Sequence, residues 1–126
     1  MGLGESCYVL DTNILLYWLG DRLENTLPKG SYLVSVISEI ELLSYAGLDL
    51  DAEQQIRGFL SKLVIVGLQE DVKEYTIALR KKYRLKLPDA AIAATALAMG
   101  AILLTNDEAF LKLTEISVES LLLKKL

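Results

Sequence analysis

The stretch YVLDTNILLYW, Tyr8 to Trp18, sets a carboxylate in the middle of an otherwise apolar run. The residues before Asp11 read as a buried strand, while Ile14, Leu15, Leu16 and Leu19 recur at helical spacing. Asp11 therefore falls at a strand-to-helix junction. Burying a carboxylate there is costly unless something pairs with it, which makes this junction the first candidate site.

Outward from Asp11, strands and helices alternate. The first strand is expected at Cys7–Leu10 and the first helix at Thr12–Leu19, closed by Gly20. A polar connector with Pro28 and Gly30 leads to a strand at Tyr32–Val34, and Ser35 or a near neighbour is expected to cap a helix running to about Ala46. Asp51 is expected to cap a helix through about Lys62, with Ile56, Phe59, Leu60 and Leu63 as its apolar spacing, before LVIV forms a short buried strand. Asp71 opens a helix with a stripe of Val72, Tyr75, Leu79 and Tyr83 that ends in RKKYRLK. Pro88 starts the alanine-rich helix Asp89–Met99, and Gly100 closes it. AILL is the fourth strand, NDEAFLKL a short helical segment and ISV a candidate edge strand. This order predicts an α/β fold, with a central, mainly parallel sheet of four to five strands.

Length and composition fit that picture. The 126 residues, 52% of them hydrophobic and 24% charged, predict one domain across residues 1–126 with a real core. Seventeen acids against thirteen bases give a net charge of −4, the wrong sign for wrapping nucleic acid by bulk electrostatics. A polyanion must then bind locally or through a metal. The lone Cys7 excludes an internal disulfide, and with no signal peptide the expected compartment is the cytoplasm. The uncharged run Ala90–Asn106 is too short and too interrupted to span a membrane. MGLGES matches the myristoylation pattern Met-Gly-x-x-x-Ser, but a strand beginning at Cys7 leaves hardly any arm for a transferase, so lipidation is not expected.

The acids carry the chemistry. Ligands of parallel α/β sheets bind in the crevice outside the carboxyl ends of the strands, where the winding order reverses. Asp11 directly follows the first strand and Asp107 closely follows the fourth, Asp89 lies in the first turn of its helix, and Glu41 or Glu39 follows the second strand. Carboxylates gathered in a partly apolar crevice repel one another unless a cation joins them. Oxygen ligands in a chain with no histidine favour Mg²⁺ or Mn²⁺ over zinc. Helical periodicity does not separate Glu39 from Glu41, since both flank the stripe of Val36, Ile40 and Leu43.

Four blocks in this order, LDTNILLY at Asp11, SVISEIELL around Glu41, LPDAAIAATAL at Asp89 and LLTNDEAF at Asp107, resemble the PIN-domain ribonucleases, especially the VapC-type toxins of toxin–antitoxin pairs. The resemblance covers essentially the whole chain. It implies a three-layer α/β/α sandwich in which Asp11, Glu41, Asp89 and Asp107 bind one or two Mg²⁺ or Mn²⁺ ions and cleave single-stranded RNA. It also selects Glu41 over Glu39 through the pattern Ser-x-Ile-x-x-x-Glu-Leu, and casts Asn13 and Thr105 as residues that orient carboxylates. In-line attack by a metal-activated water leaving a 5′-phosphate and a 3′-hydroxyl, a cognate antitoxin and a homodimer are further implications of the resemblance.

Each feature also has a plainer reading. Asp11 and Asp89 serve equally as helix-end partners, and Asn106-Asp107 as a turn. Arg80, Lys81, Lys82, Arg84 and Lys86 either guide RNA phosphates or complement a helix C-terminus. Tyr83 is expected in the core rather than stacked on a base, and Tyr17 and Trp18 fit either a partner surface or partial burial. Three other functions compete: a PIN scaffold that binds RNA or protein without cutting, a phosphotransfer receiver, and a haloacid dehalogenase-like hydrolase. A receiver wants adjacent acids after the first strand and a lysine after a late one, and the hydrolase wants Asp-x-Asp where Asn13 stands.

Overall fold

Along the first strand, Val9 faces one hydrophobic cluster while Tyr8 and Leu10 face another, so the strand is buried on both sides. The computed structural model describes residues 6–125; the match to a myristoylation pattern falls almost wholly outside them. The strands are β1 (Ser6–Leu10), β2 (Gly30–Ser35), β3 (Val64–Val66), β4 (Ile102–Leu104) and β5 (Val118–Glu119). They form one sheet in the order β3-β2-β1-β4-β5, every neighbouring pair parallel. The helices are α1 (Thr12–Leu19), α2 (Val36–Leu43), α3 (Leu50–Leu60), α4 (Glu70–Tyr83) and α5 (Leu87–Met99).

The alternation seen at β1 continues across the sheet. Leu33, Val66 and Leu103 join Val9 in a core closed by Val72 and Leu79 of α4 and by α5. Val34 and Leu104 join Tyr8 and Leu10 in a second core with Ile14 and Leu15 of α1, Leu42 of α2 and Leu60 of α3. The expected three-layer α/β/α sandwich is therefore present. In α5 every residue from Ala90 to Ala96 is buried, because small side chains let that helix pack closely against α4, α2 and the sheet.

Winding runs from β1 to β2 to β3, then crosses through α4 and α5 to β4 on the other side of β1. The reversal lies between β1 and β4, and the Asp11 N–H donates to the Leu104 carbonyl at 3.0 Å just past their carboxyl ends.

Several local expectations shift. Helix α2 stops at Leu43 rather than Ala46, with the Ser44 N–H bonded to the Glu41 carbonyl. Asp49, not Asp51, caps α3, its Oδ1 accepting from the Ala52 N–H at 2.7 Å. Tyr75 is exposed and Thr76 takes its place inside, its hydroxyl donating to the Val72 carbonyl. Strand β3 lies at the sheet edge with Val64 exposed, so it is not a buried strand, and the helical segment after Asn106 shrinks to one 3-10 turn at Glu108–Phe110.

Candidate metal centre

Asp11 is only 6% exposed, and each of its oxygens is held. The Thr12 N–H donates to Oδ1 at 2.8 Å, so Asp11 does cap α1. The Thr105 hydroxyl donates to Oδ2 at 2.7 Å and accepts the Asp107 N–H at 3.0 Å. Burial pushes the Asp11 carboxyl above the ordinary aspartate range, with a further push from Asp89 and Asp107; the bonds from Thr105 and Thr12 oppose it.

Asp89 stands half-buried in the first turn of α5. Its carboxyl is also raised, by burial first and then by Asp107 and Glu41, with Lys86 opposing. Asp107 heads the 3-10 turn, where Oδ1 accepts from the Ala109 N–H at 2.9 Å. Glu41 on α2 accepts the Thr12 hydroxyl at Oε1, 2.7 Å away, and Thr12 Oγ1 lies 2.8 Å from Ser38 Oγ. Since Thr12 has one hydroxyl proton and gives it to Glu41, Ser38 must be the donor to Thr12. A directed chain from Ser38 through Thr12 to Glu41 follows.

Asp11, Glu41, Asp89 and Asp107 line one open cavity of about 390 Å³, with Thr12, Asn13, Ser44 and Tyr45 completing its wall. Glu39 lies elsewhere, beside Arg57 and Ser61. Asn13 reaches the cavity, but the side-chain hydrogen bonds that hold carboxylates come from Thr12 and Thr105. The sequence marks Thr12 and Ser38 only by place, Thr12 next to Asp11 and Ser38 three residues before Glu41.

No lysine or arginine lines the cavity, so nothing there balances the acids and the lysine of a receiver-like pocket is not among its lining residues. Among the described residues, no three acidic, cysteine or histidine side chains are drawn into a ready coordination cluster. The carboxylates instead surround the cavity. Their donor set, all oxygen, is of the kind that hard cations such as Mg²⁺ and Mn²⁺ take.

The basic run is divided. Lys82 pairs with Glu115 at 3.1 Å, and Tyr83 donates to the same carboxyl at 2.6 Å. The Tyr83 hydroxyl and Lys82 hold Glu115 down to about 2. Arg80 Nε donates to the Leu85 carbonyl at 3.3 Å. Lys81, Arg84 and Lys86 are exposed, and only Lys86 is near enough to Asp89 to influence it. Tyr83 packs partly against the core, and Trp18 meets Tyr32 and Phe59 edge-on, so both are structural in this chain.

A parallel α/β sandwich with a carboxylate-lined crevice at its winding reversal defines the class. Within it, the model of the PIN domain matches residues 8–116, and the chain belongs to the PIN-domain family. Among solved structures, a toxin–antitoxin complex from Klebsiella pneumoniae is 32% identical, with 86% of this chain and 94% of that chain covered and a TM-score of 0.73. VapBC2 from Rickettsia felis, bound to a DNA fragment from its promoter, is 24% identical over 91% of this chain and 98% of that one, with a TM-score of 0.74. DNA-bound VapBC from Salmonella typhimurium is 23% identical over the same shares, with a TM-score of 0.75. The last two speak for the fold alone. None of the curated proteins matches the chain. No helix among the described residues is long and apolar enough to cross a membrane.

Proposed function

We propose that this protein is a divalent-metal-dependent endoribonuclease that cleaves single-stranded RNA, and the toxin of a toxin–antitoxin pair. The observation that carries the reading is the meeting of Asp11, Glu41, Asp89 and Asp107 around one cavity that no cationic side chain lines. Membership of the PIN-domain family and the likeness to toxin–antitoxin complexes support it.

Mg²⁺ or Mn²⁺ would be held by Asp11, Asp89 and Asp107 with Glu41 contributing. Bound there, the ion supplies a water of lowered pKa and neutralises charge on the scissile phosphate. The chain's own work is to orient. Thr105 holds one oxygen of Asp11 while the Thr12 N–H holds the other, and the Ser38–Thr12 chain aims Glu41. With no histidine in the sequence, that side chain is not the general base. Lys86, which acts on Asp89, would with the exposed Lys81 and Arg84 attract RNA phosphate toward the acids, whereas Lys82 and Arg80 are engaged elsewhere. A cognate antitoxin, a homodimer and a cytoplasmic location complete the proposal.

The test is incubation of a mixed RNA pool with Mn²⁺ or Mg²⁺, alongside chelator and Asp11→Asn controls, mapping the new 5′ ends. Metal-dependent cuts that vanish in the variant are expected. A pool left intact by the wild type in both metals would favour a scaffold that binds without cutting.

A further inference from the structure

Among the residues lining the acid cavity, Tyr45 is the exception: the rest are carboxylates and short polar groups, while Tyr45 is aromatic. The residue is 49% exposed and belongs to neither hydrophobic core, so packing does not account for its ring. Its backbone is nonetheless held. Ser44, directly before it, caps α2 and its hydroxyl donates to the Ile40 carbonyl, while the Tyr45 carbonyl accepts the Leu48 N–H at 3.2 Å. The ring therefore stands four residues after Glu41, just past the end of the same helix, on a braced turn.

We infer that Tyr45 is a nucleobase-stacking platform for the nucleotide next to the phosphate placed at the carboxylates. This deepens the nuclease reading above and rests on it. A phosphodiester set among the acids through a cation has its base close by, and a single-stranded substrate leaves that base unstacked. A neutral aromatic face suits the position because every base has a π-face to offer it, whereas a lysine or arginine there would pair with the carboxylates instead. Purines present the larger face, so Tyr45 favours a purine beside the cut.

The test compares wild type, Tyr45→Phe and Tyr45→Ala in two ways. The first maps cuts and rates in a mixed single-stranded RNA pool with Mn²⁺. The second follows the fluorescence of an adenine analogue placed within a short single-stranded oligoadenylate, with Ca²⁺ as the ion. Tyr45→Ala is expected to weaken binding about tenfold, mainly in KM rather than kcat, to lose the purine preference and to lose the stacking-induced quench. Tyr45→Phe should retain the quench and the preference, since it keeps the ring. Equal affinity and an equal quench in Tyr45→Ala would overturn the proposal, as would a Phe variant as impaired as the Ala variant, which would assign the role to the hydroxyl. A Tyr45→Ala defect confined to binding a protein partner would overturn it too. If the wild type makes no cuts, the nuclease reading fails separately, and the fluorescence comparison still decides the stacking.

Discussion

Thr105 and Asp11 lie 94 residues apart in the chain, yet the threonine hydroxyl donates to Asp11 Oδ2 at 2.7 Å. Thr105 Oγ1 in turn accepts the Asp107 N–H, so one hydroxyl orients the Asp11 carboxylate and the backbone that presents a second. Thr105→Val keeps the shape and removes the bond. Mn²⁺ affinity measured by calorimetry should fall roughly 10- to 100-fold, as expected for loss of a group that orients a ligand, and Thr105→Ser should restore it. Unchanged affinity in the valine variant would show that the bond only braces the turn.

Asp11→Asn tests the burial of charge itself. The amide keeps an oxygen for the Thr12 N–H and removes a carboxylate whose ionised form is disfavoured by burial and by its acidic neighbours. In chelator the variant should be more stable by on the order of 1 kcal/mol, while cleavage is lost. Thermal melts and cleavage assays read the two effects separately, and a variant that is less stable in chelator would contradict the account of Asp11.

The Ser38–Thr12–Glu41 chain makes a prediction with a built-in control. Thr12→Val should weaken divalent-ion binding by leaving Glu41 without its donor, by about tenfold, and Thr12→Ser should recover most of it. If valine and serine bind Mn²⁺ alike, Glu41 does not depend on this chain.

Stability without metal should fall as pH rises through the raised pKa values of Asp11 and Asp89. Their carboxyls lie above the ordinary 3.8, so over that window the folded chain holds more protons than the unfolded one. Glu115 acts in the opposite sense at lower pH: held at about 2, it contributes stability above its ordinary 4.5 that is lost as pH falls toward 2. Urea midpoints measured in chelator against pH, with Asp11→Asn as the reference, isolate the Asp11 part. Wild type gaining on the variant as pH rises above 3.8 would refute the sign.

Gly30 pairs with Ser6 at the start of the β1–β2 register. A Cβ at Gly30 would stand 2.3 Å from the Ser6 carbonyl oxygen and 2.9 Å from the Tyr8 ring. Backbone cannot yield as a flexible side chain would, so Gly30→Ala should cost about 2 kcal/mol or more, read as a lowered denaturation midpoint. A midpoint within error of the wild type would mean that β1 and β2 can separate at this end without cost.

Much of the sheet was legible because burial on both faces leaves strong marks. Continuous apolar runs end at Leu10 and Leu104, and the acids that follow them are conspicuous for being polar. Finer choices were not legible. Asp49 and Asp51 are equally good caps in sequence, and only the turn geometry places Asp49 Oδ1 at the Ala52 N–H. Asn13 and Thr12 are neighbours with similar hydrogen-bonding capacity, but one step along a helix turns a side chain by about 100°, so Thr12 faces α2 while Asn13 faces solvent. Strand β3 reads as buried because its residues are apolar, yet an edge position follows from which strand is last in the winding, something no local pattern records.

The pairing of β1 with β4 has a consequence for timing. Tyr8–Leu10 lie against Ile102–Leu104, so the middle of the sheet joins segments made far apart in time. Asp11 is synthesised 94 residues ahead of its hydroxyl donor at Thr105. A chain still growing on the ribosome, or one broken off before Thr105, has no assembled centre.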